Sequence, residues 1–306
     1  MWKQFFKYFW IGAFLLTLLI RAVSSPAAIE HWYSRGFFPA YRSAWDLLTG
    51  VVPFPLVYLL VFWLFFMGVL RLYRWLGDDR RLVAKLGSLL LGVLQFVGLA
   101  GTLFIWLWGF NYKRIPLEEQ LGLVLKPMTD TVLIQSYEAT TAKLIDARLR
   151  IAGAADRPLN DGDLPSDLEA QLRVLLESWL AAHDYPTDGE VRALLVKPKG
   201  VLMRFSSSGV YLPWVGEGHV DAAVHPIQIP FVMAHEMAHG YCFGNEGICN
   251  FIAYLVCIQS DDPLVLYSGI MGYWRYLAGD YRQINPDAYA AAYEALPEAI
   301  KGDLQD

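Results

Sequence analysis

The sequence predicts an α-helical membrane anchor of about three transmembrane helices over residues 1–112, followed by a mainly helical α+β domain over residues 113–306. Three observations lead there. The chain has 306 residues, 55% hydrophobic and only 18% charged, against roughly 25% charged in an average soluble domain. Its apolar residues are segregated into uncharged runs in the first third. After Asn111 the composition becomes that of an ordinary globular domain, long enough to bury its own core. The composition excludes disorder, collagen-like repeats and a disulfide scaffold, and a net charge of −5 with one short basic cluster argues against nucleic acid.

Val51–Leu70 is 20 residues without a charge and Leu86–Phe110 is 25, each long enough to cross a bilayer. Trp106 and Trp108 sit near the end of the second run, where amphipathic rings favour the headgroup level. The first segment is shorter. Only 13 residues between Lys7 and Arg21 are uncharged, as in a signal peptide, and Ala22-Val23-Ser24 is compatible with cleavage. Snorkelling of Lys3, Lys7 and Arg21 extends it to a span over about residues 2–23, and a retained anchor is the favoured reading. Arg71, Arg74, Arg80, Arg81 and Lys85 mark the linker between the strong spans as cytoplasmic. The N-terminus is then inside and the domain after Phe110 outside the cytoplasm.

In the domain, Ser136–Ile151 and Leu164–His183 have apolar residues at helical spacing, separated by a loop over Ala154–Asp163. Short strands are expected at Ala193–Val196, Val201–Phe205 and Gly209–Leu212, and helix from Pro226 to about Leu296. The run Gly209–Val220 reads as an edge strand suited to aligning an extended peptide. His219 and His225 read as loop residues. Cys242 and Cys249 read equally as a disulfide or as small buried thiols, with Cys257 left over.

The chemistry concentrates in His235-Glu236-Met237-Ala238-His239. On a helix, residues four apart differ by about 40° and one turn, so both rings can face one metal ion. Glu236 then projects beside the metal, where a carboxylate can take a proton from water. The apolar neighbours of the motif favour a buried helix, in which an unpaired Glu between two His would be costly without a metal. A catalytic site needs a third protein ligand. Cys242 lies about 10 Å along a straight helix from His235, too far for bonds near 2 Å. Glu246 escapes that limit if Gly240 and Gly244 let the helix stop and turn and Asn245 caps a new one. Asn250, one turn after Glu246, either hydrogen-bonds a ligand or lies on an exposed stripe.

The pattern His235-Glu236-x-x-His239 with Glu246-x-x-x-Asn250 resembles the gluzincin branch of zinc metallopeptidases. That resemblance implies a zincin-like domain holding one Zn²⁺ per chain on His235, His239 and Glu246, with Glu236 as general base. The wider chain also resembles a bacterial multi-span membrane family of unknown function that carries this motif. Ile29–Pro39, Trp108–Tyr112, Glu119–Leu123, Ser208–Pro213 with Gly216-Glu217, and Tyr267–Gly269 with Arg275–Leu277 carry the likeness. It implies the bacterial inner membrane. Gly247-Ile248-Cys249 departs from the charged or small residues usual in such helices, and more sequence after Asp306 would be expected.

The expected activity is hydrolysis of peptide bonds in a peptide or protein substrate, with the lipid bilayer as the other partner. A donor opposite the metal is needed, and Tyr267, Arg275 and Tyr276 are the candidates, although core aromatics and a surface arginine read the same. The alternative is a catalytically silent membrane protein whose zinc-bound domain is a binding or assembly module. An intramembrane protease is disfavoured, because fewer than 18 consecutive apolar residues surround His235.

Overall fold

The computed structural model describes residues 2–151, 153 and 157–305. Residues 154–156 of the expected Ala154–Asp163 loop, and the side chains of Lys3 and Lys7, lie outside the described part. Helix α1 (Trp2–Val23) is followed by a sharp bend, a π-helical stretch Ile29–Phe37 and α2 (Phe38–Thr49). Two long apolar helices follow, α3 (Val57–Leu76) and α4 (Leu82–Leu107). These two are long and apolar enough to cross a membrane, and a third span is present if α1 and the segment bent 109° from it count as one. No side chain of α3 is buried, and most of its hydrophobic ones are exposed, including Phe62, Trp63 and Phe65. Such a surface is costly in water and is consistent with a helix that faces lipid.

The span boundaries differ from those expected. Residues 51–56 form a turn, because Pro53 and Pro55 cannot continue a helix, and α3 instead runs on through Arg71 and Arg74. Helix α4 stops at Leu107, and Gly109–Lys113 forms a 3₁₀ turn. Close packing joins α1 to α4. A Cβ on Gly98 would lie 2.6 Å from the Trp10 carbonyl, and Trp106 Nε1 donates to Thr17 Oγ1 at 3.0 Å.

The rest is mostly helical around a small mixed sheet. Helices α5 (Asp130–Leu149) and α6 (Leu168–Ala182) precede strands β1 (Arg192–Val196), β2 (Gly209–Leu212) and β3 (Glu217–Asp221). Helices α7 (Ile229–Gly240), α8 (Glu246–Cys257), α9 (Pro263–Ile284), α10 (Pro286–Glu294) and α11 (Glu298–Gln305) complete the chain. The strand order is β1-β3-β2, with β1 parallel and β2 antiparallel to β3. One core joins α6, the sheet, α7 and α8, and a second joins α5 to α9 and the C-terminal helices.

Three local expectations are corrected. Val201–Phe205 is a turn ending in a 3₁₀ helix, because the Asp221 carboxylate gathers the backbone N–H groups of Gly200, Leu202 and Met203. Gly209–Val220 is a hairpin, not one edge strand: β2 is the outer strand, while β3 is central and fully buried. His219 therefore sits mid-strand and 1% exposed, not in a loop. All three cysteines are free and buried.

Helix α2 ties the region between the apolar helices to the sheet. The buried Arg42 pairs with Asp46 at 2.7 Å, donates to the Gly216 carbonyl at 2.6 Å and reaches Tyr211. Asp46 also accepts the Glu190 N–H at 2.8 Å. Removing one partner leaves an unpaired buried charge, so Arg42→Ala should destabilise the protein by about 3–5 kcal/mol. Replacing Arg42 and Asp46 together by apolar residues of similar volume should cost less than Arg42→Ala alone, as thermal unfolding of the detergent-solubilised protein would measure.

Candidate metal centre

Helix α7 carries the motif and is buried on nearly every side: Met233, Ala234, Met237 and Ala238 fill the core. Pro230 in its first turn needs no N–H partner there. The helix ends at Gly240 in a turn whose left-handed residue is Cys242, at φ 78°, rather than either of the glycines expected to provide it. Asn245 then caps α8 by accepting the Ile248 N–H at 3.1 Å, which places Glu246 in the first turn of α8.

Both histidines are fixed in ring orientation by oxygen acceptors. His235 Nδ1 donates to Asn250 Oδ1 at 2.8 Å, and His239 Nδ1 donates to the Phe243 carbonyl at 2.7 Å. In a neutral imidazole the other nitrogen is then a lone pair. The two Nε2 atoms lie 3.1 Å apart, and Glu246 reaches them at 3.1 and 3.5 Å. The three ligand atoms lie within 4.8 Å of one another. Two ligands held about 2 Å from one tetrahedral ion stand roughly 3.3 Å apart, so the donor set fits such an ion. Burial and the neighbouring His239 hold the His235 imidazole below its ordinary pKa, which favours the ligating form.

Glu236 is 4% exposed and points at the sheet. Burial, reinforced by the Glu246 carboxylate, pushes it well above the usual carboxylate range, against a hydrogen bond from the Tyr211 backbone. Its Oε2 has no hydrogen-bond partner among the described residues. Two strand glycines make room for this side chain. A Cβ on Gly209 would lie 2.6 Å from Glu236 Oε1, and one on Gly218 would lie 2.7 Å from Glu236 Cβ.

These groups open on a cleft of about 460 Å³. Ser206–Gly209 form one part of its wall, and Met271, Gly272, Arg275 and Tyr276 of α9 another. Of the three donor candidates, Arg275 and Tyr276 line the cleft and Tyr267 does not. Tyr267 is fully buried in the second core, where its hydroxyl donates to Asp303 at 3.0 Å, because it lies on the face of α9 turned away from the cleft. Asn250 donates through Nδ2 to the Tyr276 hydroxyl at 2.7 Å, so it bridges His235 to α9 rather than lying on an idle stripe. Sequence reasoning missed Phe243, whose carbonyl orients His239, and Trp108, whose Nε1 donates to the His239 carbonyl at 2.9 Å. A backbone acceptor leaves no mark in the sequence, and Trp108 carried only the signal of an interfacial aromatic. Cys249 also lies 3.3 Å from His239 Nδ1 and 3.4 Å from the Phe243 carbonyl, inside the same buried contact.

A family described as Protein of unknown function (DUF3810) matches residues 33–306. The chain belongs to that family. No curated protein and no solved structure matches it. The DUF3810 match takes in α2, the apolar helices α3 and α4, the hairpin and every residue of the cluster.

If Asn250 orients His235 as a ligand, Asn250→Ala should lower affinity for a divalent metal about 10–100-fold. Competition with a metal buffer measures this, and an unchanged affinity would separate Asn250 from the metal centre.

Proposed function

We propose that the chain is a membrane-anchored zinc metallopeptidase that hydrolyses peptide bonds outside the cytoplasm. The observation that carries this reading is the pair of committed Nδ1 donors, which leaves both Nε2 lone pairs converging with the Glu246 carboxylate. His235, His239 and Glu246 would hold the ion. When bound, zinc supplies Lewis-acid chemistry, polarising a carbonyl and acidifying water.

The chain's own groups do the rest. Glu236, as the carboxylate and with Oε2 unpartnered among the described residues, accepts the proton of the attacking water and delivers it to the leaving amine nitrogen. Tyr276, whose hydroxyl accepts from Asn250 and keeps its own proton to donate, and Arg275 offer donors to the oxygen that gains charge. The outer strand β2, starting at the cleft, offers an edge for an extended peptide.

The purified protein should hold about one zinc per chain, the number a three-ligand catalytic site takes. His235→Ala should lose it, whereas Glu236→Gln should keep it and lose peptide cleavage by about 10²–10⁴-fold, the scale of general acid–base catalysis. Elemental analysis beside digestion of a mixed peptide library reads both. Zinc without turnover in the wild type would instead identify a binding or assembly module, and no zinc at all would sink the site reading.

A further inference from the structure

Strand β2 connects the cleft to the flank of an apolar helix. Gly209, at its start, lies against Glu236 and lines the cleft. At the other end of the hairpin turn, Trp214 Nε1 donates to the Ala100 carbonyl at 3.1 Å, and its ring meets Phe104 with centroids 5.8 Å apart. Ala100 lies inside α4, which ends at Leu107, so the contact is roughly 10 Å below the helix end. The hairpin tip is therefore sunk beside a helix apolar enough to span a membrane. From Trp214 back to Gly209 an extended chain covers at most roughly 17 Å.

A second tie fixes the same distance. Trp108, the first residue after α4, holds the His239 carbonyl directly. The metal cluster is thus within one side chain of the helix end. A peptide lying along the outer side of β2 would run along the line from cleft to helix flank. Beside Trp214 that flank forms an apolar groove of about 500 Å³ lined by Phe14, Phe96, Val97, Ala100 and Phe104, and Trp214 belongs to both hairpin tip and groove.

We propose that the substrates are polypeptides themselves anchored in the bilayer, cut in the extended stretch next to their anchor, whose apolar segment seats in the groove beside Trp214. The proposal rests on the metallopeptidase reading and names its substrate class. Each cut breaks one amide C–N bond and consumes one water, giving a carboxylate on one fragment and an amine on the other. The anchored fragment stays in the bilayer.

The test uses the full-length zinc-loaded protein in phospholipid nanodiscs, with a substrate whose single transmembrane helix is followed by about 60 residues of one repeated cleavable sequence, a flexible chain long enough to sample the whole surface. Mass spectrometry maps the cuts. Cuts within about ten residues of the anchor should outnumber distal ones at least about tenfold, beyond what effective concentration gives identical distal repeats. Cuts spread evenly along the repeat, or cleavage of the free peptide alone, would overturn the proposal and leave the peptidase reading standing. No cleavage of either form would remove both. Independently of turnover, Glu236→Gln protein should photo-crosslink at Trp214 or Phe104 to a probe placed one residue outside the anchor; crosslinking only outside the hairpin and groove would also overturn it.

Discussion

The indole N–H of Trp108 meets the backbone carbonyl of His239 where an apolar helix ends and the His235–His239–Glu246 cluster begins, and much of the molecule is arranged around that contact. Both groups are buried, so leaving either unmade costs about 1–3 kcal/mol, more than the bond itself contributes when formed. The Trp108 ring also stands edge-on to His239, centroids 5.5 Å apart, and packs against Tyr211 of β2. One residue thus locates helix α7, the His239 ring and the strand facing Glu236. Arg114 adds a bond to the Cys242 carbonyl at 3.0 Å, in the turn between α7 and α8. The cluster is held from the side of the apolar helices as firmly as from its own core.

Buried charges elsewhere act at comparable junctions. Arg42 and Asp46 join α2 to the hairpin, Glu30 and Arg114 join the π-helical stretch to the segment after α4, and Arg148 and Asp303 join α5 to α11. Glu217 on β3 pairs with Arg192 on β1 and accepts the Leu56 N–H at the start of α3. A buried ion pair contributes little net stability compared with well-packed apolar side chains. Its value at these positions is geometric: Glu30–Arg114, Arg148–Asp303 and Arg192–Glu217 form only when segments far apart in sequence meet, and Arg42 and Asp46, paired within α2, take their further partners from Gly216 and Glu190. In a protein with exposed apolar helices, where hydrophobic contact alone discriminates poorly among docking poses, such pairs select one pose.

The parts of this architecture legible in the sequence were those carried by local pattern. Uncharged length marked α3 and α4, and helical spacing marked α5 and α6. The spacing of His235 and His239, with Asn245 free to cap a second helix before Glu246, anticipated three side chains that the fold brings within reach of one point. What failed did so where distant residues overrode local preference. Val201–Phe205 has strand composition, yet Asp221 offers its backbone a better set of acceptors. Tyr267 and Tyr276 read alike in sequence, and only the rotation of α9 sends one into the core and the other to Asn250. His219 looked like a loop residue because Glu217–Asp221 alternates poorly, as a central strand buried on both faces does.

Glu236 shows most clearly where the chain departs from rules that favour stability alone. A carboxylate buried with one oxygen unpartnered is costly, and glycine inside a strand weakens the strand. Here the two costs are coupled. Gly209 on β2 and Gly218 on β3 are the points where any larger residue would strike the Glu236 side chain, so the sheet is hollowed to accept it. Gly218 would be required by any side chain at position 236, since an added Cβ there meets Glu236 Cβ at 2.7 Å, whereas Gly209 makes room for the carboxylate itself, an added Cβ lying 2.6 Å from Oε1. The arrangement leaves Glu236 Oε2 without a hydrogen-bond partner among the described residues, on a side chain that lines the cleft together with His235 and Glu246. Local costs of this kind gather at functional sites because the surrounding fold is stable enough to bear them. The room that Gly209 leaves for the Glu236 carboxylate therefore supports the proposed chemistry independently of the motif in which Glu236 stands.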